Sequence, residues 1–390
     1  MKKALLAGTA ITAAALYAQS AQAQLVVSLG GYTEFFGAYY DDDASNRTSR
    51  EFQLETEIVV RADGKADNGL LYGAKIELQN STGGGGDTGV GTDEASVYIG
   101  GTWGRIELGD FDGAADTLAI YAPLVGIEQI DGDAYDFLAV TPDAGPLAGF
   151  ALGGAPTGSL VQAPDAGDST KVMYITPRFA GIQAGVSYAT QSDSEAQNVV
   201  PLKTAGGYKD FWEFGANYTG EVSGFSVALG ATASTATGQD LGTVGGPSLE
   251  DFFAWQAGAQ VGYGGFKVGG GYIDADDYNA VSGAPATSGD STAWHVGASY
   301  TAGPVAIGLT YADAEGFKGG PDVSTGLPST YASSYKTYGG GVAYTIAAGL
   351  TVQADVMYVD EDLRNVDALG GVTTASNEGF VAVFSTRLDF

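Results

Sequence analysis

Between Arg105 and Lys171 the chain runs for 65 residues without a lysine or arginine. The same stretch carries Glu107, Asp110, Asp112, Asp116, Glu128, Asp131, Asp133, Asp136, Asp143, Asp165 and Asp168. Carboxylates at that density either take up cations or set the field of the space they line. Asp131-Gly132-Asp133-Ala134-Tyr135-Asp136 spaces three acids much as a calcium loop does, but Tyr135 occupies a ligand position and the expected glycine is missing. It assigns no firm metal site, and Asp131, Asp133 and Asp136 are expected at most to hold a structural Ca2+. His295 is the only histidine. Ser291 and Ser299 flank it, yet nothing orders a third partner for acyl transfer, and it reads as a wet residue beside water. Gly64-Lys65-Ala66 lacks the upstream glycine and following hydroxyl of a phosphate loop. Without cysteine, thiol catalysis, disulfides and thiolate metal sites are excluded together. No enzyme is expected.

The elements that must hold these acids follow from composition. Of 390 residues, 17 are Lys or Arg and 46 Asp or Glu, a formal net charge of −29. That balance argues against nucleic acid, whose phosphates need clustered cations. Charged residues make up 16% and apolar ones 44%, which is not a disordered profile. The 61 glycines disfavour helices and suit many strands with tight turns. Met1-Lys2-Lys3, the apolar run Ala4–Ala18 and Ala21-Gln22-Ala23 form a secretory signal peptide, residues 1–23, expected to be cleaved after Ala23. Beyond residue 24 no apolar run is long enough for a transmembrane helix.

Period-2 alternation replaces it. Phe52, Leu54, Thr56, Ile58 and Val60 alternate with Glu51, Gln53, Glu55, Glu57 and Arg61. Such a strand meets an apolar medium on one face and water on the other. Sixteen candidates follow: 25–40, 50–62, 70–80, 93–101, 105–111, 169–176, 181–190, 209–219, 224–233, 249–262, 265–274, 291–301, 304–313, 334–346, 350–360 and 377–390. Short glycine-containing turns follow the even strands, and long polar connections follow the odd ones. A soluble sandwich has no reason for that alternation, whereas an outer-membrane barrel has short periplasmic turns and long external loops. Tyr39, Phe52, Trp103, Tyr188, Trp212, Tyr272 and Trp294 fall near strand ends, where interfacial girdles form.

Gly104-Arg105-Ile106-Glu107-Leu108-Gly109-Asp110, and a last strand ending on Phe390, carry a family resemblance over the whole mature chain. The sequence resembles the general porins of Gram-negative bacteria, particularly their alphaproteobacterial branch. The resemblance implies an all-β fold: a 16-stranded antiparallel transmembrane β-barrel over 24–390 with an inward-folded third loop, residues 110–168. It implies a homotrimer, with 81–92 a candidate subunit contact. It also implies lipopolysaccharide neighbours and recognition of the C-terminal strand by the outer-membrane insertion machinery. Residues 138–167, rich in Pro, Ala and Gly, depart from the family as an insertion, either rising outside or folding into the lumen.

In such a pore the acidic constriction would comprise Asp110, Asp112, Asp116, Glu128, Asp131, Asp133 and Asp136. Strand parity puts Arg61, Lys75, Arg105 and Arg387 on the lumen wall, where the family sets bases opposite its loop. Glu55, Glu57, Glu77 and Glu107 share that parity, so the wall is diluted and the lumen acidic. A narrow throat lined with acids favours cations. The expectation is a water-filled, cation-preferring diffusion channel for ions and small hydrophilic solutes. The alternatives are a nutrient-selective channel, for sugars for example, and a surface adhesin or structural barrel.

Overall fold

The computed structural model describes residues 25–43, 48–80, 89–126, 137, 159–192, 195, 207–240, 248–282, 290–322, 327–366 and 372–390. They form sixteen strands: β1 (Val26–Asp42), β2 (Arg50–Lys65), β3 (Leu71–Asn80), β4 (Val90–Gly101), β5 (Gly104–Asp110), β6 (Thr170–Ile175), β7 (Ile182–Gln191) and β8 (Tyr208–Val222). β9 (Phe225–Gly238), β10 (Phe252–Tyr263), β11 (Phe266–Asp276), β12 (Ser291–Ala302), β13 (Val305–Asp322), β14 (Leu327–Ala347), β15 (Leu350–Val366) and β16 (Val372–Asp389) complete the set. One four-residue helix, α1 (Ala114–Thr117), follows β5.

Each strand pairs antiparallel with its sequence neighbours, and β16 returns to β1, so the sheet is a closed barrel. Closure leaves no edge, which a bilayer requires because it offers backbone groups no partners. The chain end makes the seam: the Phe390 N–H donates to the Gly31 carbonyl at 3.0 Å and the Gly31 N–H to the Phe390 carbonyl at 3.1 Å. At the short-turn end the hairpins are tight. Gly264 and Gly265, with φ of 57° and 89°, make the two-residue turn between β10 and β11. Left-handed backbone at both positions matches the twist of the flanking strands.

Parity sorts side chains as the sequence implies. Phe35 and Tyr39 of β1 are exposed, whereas Glu34, Phe36, Ala38 and Tyr40 are buried inside. Trp212 and Phe214 of β8 face out and Phe211 and Glu213 face in. Aromatic rings meet across strands in two outer rows. One runs through Tyr188–Trp212, Trp255–Tyr272, Trp294–Tyr311 and Tyr338–Tyr358. The other holds Trp103–Tyr174, Phe225–Tyr263 and Phe266–Tyr300 nearer the short turns. These are the amphipathic belts expected at two membrane interfaces.

All sixteen strands coincide with a sequence candidate, but several are longer. β13 and β14 stay paired out to Asp322↔Leu327, where a loop over 314–333 was expected. Outside a bilayer a hairpin need not alternate, so this Gly- and Ser-rich extension carries no period-2 signal.

Candidate functional site

The connection from β5 to β6 turns into the barrel. Its first arm, Phe111–Gly126, runs sideways along the inner wall. What admits it there is a path of glycines at which no side chain intervenes. A Cβ at Gly258 of β10 would lie 1.6 Å from the Ile120 carbonyl oxygen. One at Gly215 of β8 would lie 2.6 Å from the Ala114 oxygen, and one at Gly297 of β12 would lie 2.9 Å from the Pro123 oxygen. Gly308 of β13 receives Val125 in the same way. The arm thus crosses from β8 to β13 in backbone-level contact, and Gly126 reaches the Asp355 carboxylate of β15.

Polar side chains of the wall hold both arms. The buried Glu213 carboxylate of β8 accepts the Ala115 N–H on one oxygen and the Ala166 N–H on the other, each at 3.1 Å. Ser187 of β7 accepts the Ala114 N–H at 2.9 Å and donates to Glu213 at 3.1 Å. Asn217 donates to the Leu118 carbonyl at 3.2 Å and Gln260 to that of Tyr121 at 2.6 Å. On the second arm, 159–169, Gln256 of β10 accepts the Ala163 N–H at 2.5 Å and donates to the Val161 carbonyl at 3.2 Å. Buried loop backbone is tolerable only when paired in this way.

The facing wall, from β16 through β1 to β5, holds the charges. Lys75 bridges Glu77 at 2.9 Å and also contacts Glu94. Arg105 bridges Glu107 at 2.9 Å and lies 4.0 Å over the Tyr98 ring. Arg387 bridges Glu34 at 3.1 Å and Asp389 at 2.9 Å, 3.7 Å over Tyr32. Tyr32 donates to Glu55 at 2.7 Å, and Ser96 to Glu107 at 2.6 Å. Carboxylate oxygens of Glu57, Glu77 and Asp93 lie within 4.8 Å of one another, as do those of Glu94, Asp112 and Asp168. Asp112 therefore meets the acidic wall directly. Asp110 accepts from Thr170 at 2.5 Å, and Asp116 receives the Gln162 amide, tying the two arms together. Arg61 is exposed on β2, opposite Lys75 in register.

In the second arm, burial first, then the Glu213 and Asp112 carboxylates, push the Asp165 carboxyl up to about 7, against the Gly167 N–H and the Lys171 ammonium. Lys171 itself donates to the Phe111 and Gly167 carbonyls.

Glu128, Asp131, Asp133 and Asp136, and with them the calcium-like sequence, lie outside the described residues, as do the leader 1–23 and most of 81–92. His295 does face inward, but it is 2% exposed among apolar neighbours instead of wet, because the second arm covers that wall. Sequence reading missed Glu213, Gln256, Glu34, Asp93 and Glu94. Glu213 stands alone between Trp212 and Phe214 on the inward parity of β8, a signal that parity alone offered. What it binds depends on the path of a loop without periodicity.

An apolar exterior with two aromatic rows, a closed sheet and a charged interior define a transmembrane β-barrel channel. The family model described as Gram-negative porin matches residues 9–364, and the chain belongs to that family. It is accordingly a diffusion channel of the outer membrane. A double mutant of the Rhodopseudomonas blastica porin superposes with a TM-score of 0.55 at 16% identity, over 94% of this chain and 100% of that one. OmpT of Vibrio cholerae, an outer membrane protein, in a form lacking loop L8, gives 0.58 at 14% identity, over 94% and 99%. At such identities the likeness concerns the fold. Among curated proteins none matches the sequence.

Proposed function

We propose that this porin passes small hydrophilic solutes with a preference for cations, and that it works as a homotrimer in contact with lipopolysaccharide. The observation that carries the ionic preference is the pairing of wall charges. Lys75, Arg105 and Arg387 each spend their charge on a neighbouring carboxylate. Glu55, Glu57, Asp93 and the loop acids Asp110, Asp112 and Asp116 add to those carboxylates on the same wall or against it. A transverse field of bases against acids is thereby replaced by a net negative throat. Low-dielectric walls focus that potential and raise the local concentration of cations. Oxygen-rich rings of this kind select for positive charge in other channels. The broad apolar outer face is suited equally to lipid and to neighbouring subunits.

The test is the ratio of potassium to chloride permeability in planar bilayers. It is expected to exceed 1 for the unaltered protein and to fall at least twofold when Glu57 and Glu77 are both changed to glutamine. An unchanged ratio in that variant would mean that these acids do not set selectivity.

A further inference from the structure

On the short-turn side of the first arm the lumen holds a cavity of about 710 Å³, bounded by Tyr121–Gly126 and by the strand ends of β8–β14. Only two charged residues line it, one of each sign: Glu221 of β8 and Lys267 of β11. Both are exposed, and neither side chain has a hydrogen bond or ion pair among the described residues. Lys75, Arg105 and Arg387 on the other wall are all paired with carboxylates. Lys267 keeps its charge for what passes.

Strand register sets the two charges in one row. Glu221 pairs with Ser226 of β9, Ser226 with Gly262 of β10, Gly262 with Lys267, and Lys267 with Ser299 of β12. Glu221 and Lys267 thus stand three strands apart, about 14 Å between Cα atoms. The four-carbon stem of Lys267 and the two-carbon stem of Glu221 can close most of that span, which leaves a gap of solute size. Gly262 opens the middle of the row. A Cβ there would lie 2.5 Å from Ser226 Oγ and 3.8 Å from Lys267 Cγ, so the hydroxyl and the lysine stem approach over it from its two sides.

We propose that this row is a transit site for small zwitterionic solutes of the amino-acid class. The solute carboxylate meets the Lys267 ammonium and the hydroxyls of Ser226 and Ser299, and the solute ammonium turns toward Glu221. The inference rests on the channel reading above. The acidic wall decides the class of solute. A free anion is repelled by the carboxylates of β1–β5 before it reaches Lys267, and a free cation is repelled by Lys267 itself. A solute that carries both charges has no net charge to repel and uses both ends of the row. Exposed charges hold their partners weakly. Weak holding suits a channel, whose solutes must leave as readily as they enter.

The test compares alanine with lactamide, an uncharged isomer of the same size, as labelled solutes at low millimolar concentration. Initial uptake into proteoliposomes carrying the full-length protein is expected to favour alanine by roughly twofold or more. An excess of unlabelled alanine should bring the ratio to about 1, because the row saturates. Lys267→Gln and Glu221→Gln should each lower the ratio toward 1, and Lys267→Arg, which keeps the charge, should restore most of it. Both glutamines replace exposed side chains, so the barrel is expected to fold. Equal uptake of the two isomers by the unaltered protein would overturn the site. A preference for alanine that survives Lys267→Gln would overturn it as well. Failure of the channel reading looks different: neither isomer would enter faster than into liposomes without protein, and the transit site would fall with it.

Discussion

Glu213 is the residue on which both arms of the third loop converge. Removing its carboxylate leaves the Ala115 and Ala166 N–H groups without an acceptor in a buried place. Orphaned buried donors cost roughly 1–3 kcal/mol each. Glu213→Ala is therefore expected to lower stability by about 3 kcal/mol, read as a lower midpoint of heat-induced unfolding in detergent. Glu213→Gln, which keeps one acceptor oxygen, should fall between the two, and a glutamine variant no better than alanine would contradict the role given to that oxygen. Asp165 makes the same region sensitive to pH. Its carboxyl, facing Glu213 on β8, Asp112 on the first arm and Lys171 on β6, is raised to about 7, chiefly by burial. A raised carboxyl favours the docked arm in its protonated form. That contribution is complete below the ordinary carboxylate range and is lost as pH rises through about 7. The midpoint of heat-induced unfolding in detergent should accordingly be higher at pH 5 than at pH 8, and Asp165→Asn should flatten the difference. A pH response that persists in the asparagine variant would assign it to another group.

At the scale of elements, strand identity was legible because a bilayer imposes strict alternation. Phe52, Leu54 and Ile58 against Gln53, Glu55 and Glu57 mark the two faces of β2 without further context. The same physics set the limit of what could be read. β13 and β14 continue past the membrane, where alternation is not required, and their extension was invisible. The inward turn of Asp112 and Asp116 and the lumen-facing Lys75, Arg105 and Arg387 agree with composition and parity, whereas Glu128, Asp131, Asp133 and Asp136 lie outside the described residues. The pairing of Lys75 with Glu94 was not legible, since it crosses from β3 to β4 through a register that includes a bulge. The dryness of His295 was hidden too, because only the folded path of the second arm creates it. The glycine track is the element-scale device that positions the first arm. Gly258→Val would drive a side chain into the Ile120 carbonyl. It should unseat the arm, lowering the unfolding midpoint and changing unitary conductance. Gly91→Ala on β4, where a Cβ meets nothing within 4 Å, should leave both unchanged. Equal effects at the two sites would mean that the track does not hold the loop.

For the molecule as a whole, stability and transport are divided between two faces of one sheet. The outer face meets an apolar medium with exposed Leu, Val, Phe and Trp, and the sealed β1–β16 seam removes the last unpaired edge. The inner face is divided again, apolar under the second arm and acidic along β1–β5. With a formal net charge of −29 and Lys75, Arg105 and Arg387 each paired with a carboxylate, the interior should repel anions wherever water enters. The most direct measurement is the zero-current potential of the purified protein in a planar bilayer under a KCl gradient. The account predicts a potential with the sign set by potassium permeation, growing as salt is lowered and screening weakens. A potential near zero, or one with the sign of chloride permeation, would show that Lys75, Arg105 and Arg387 dominate the throat, and the proposed cation preference would be wrong.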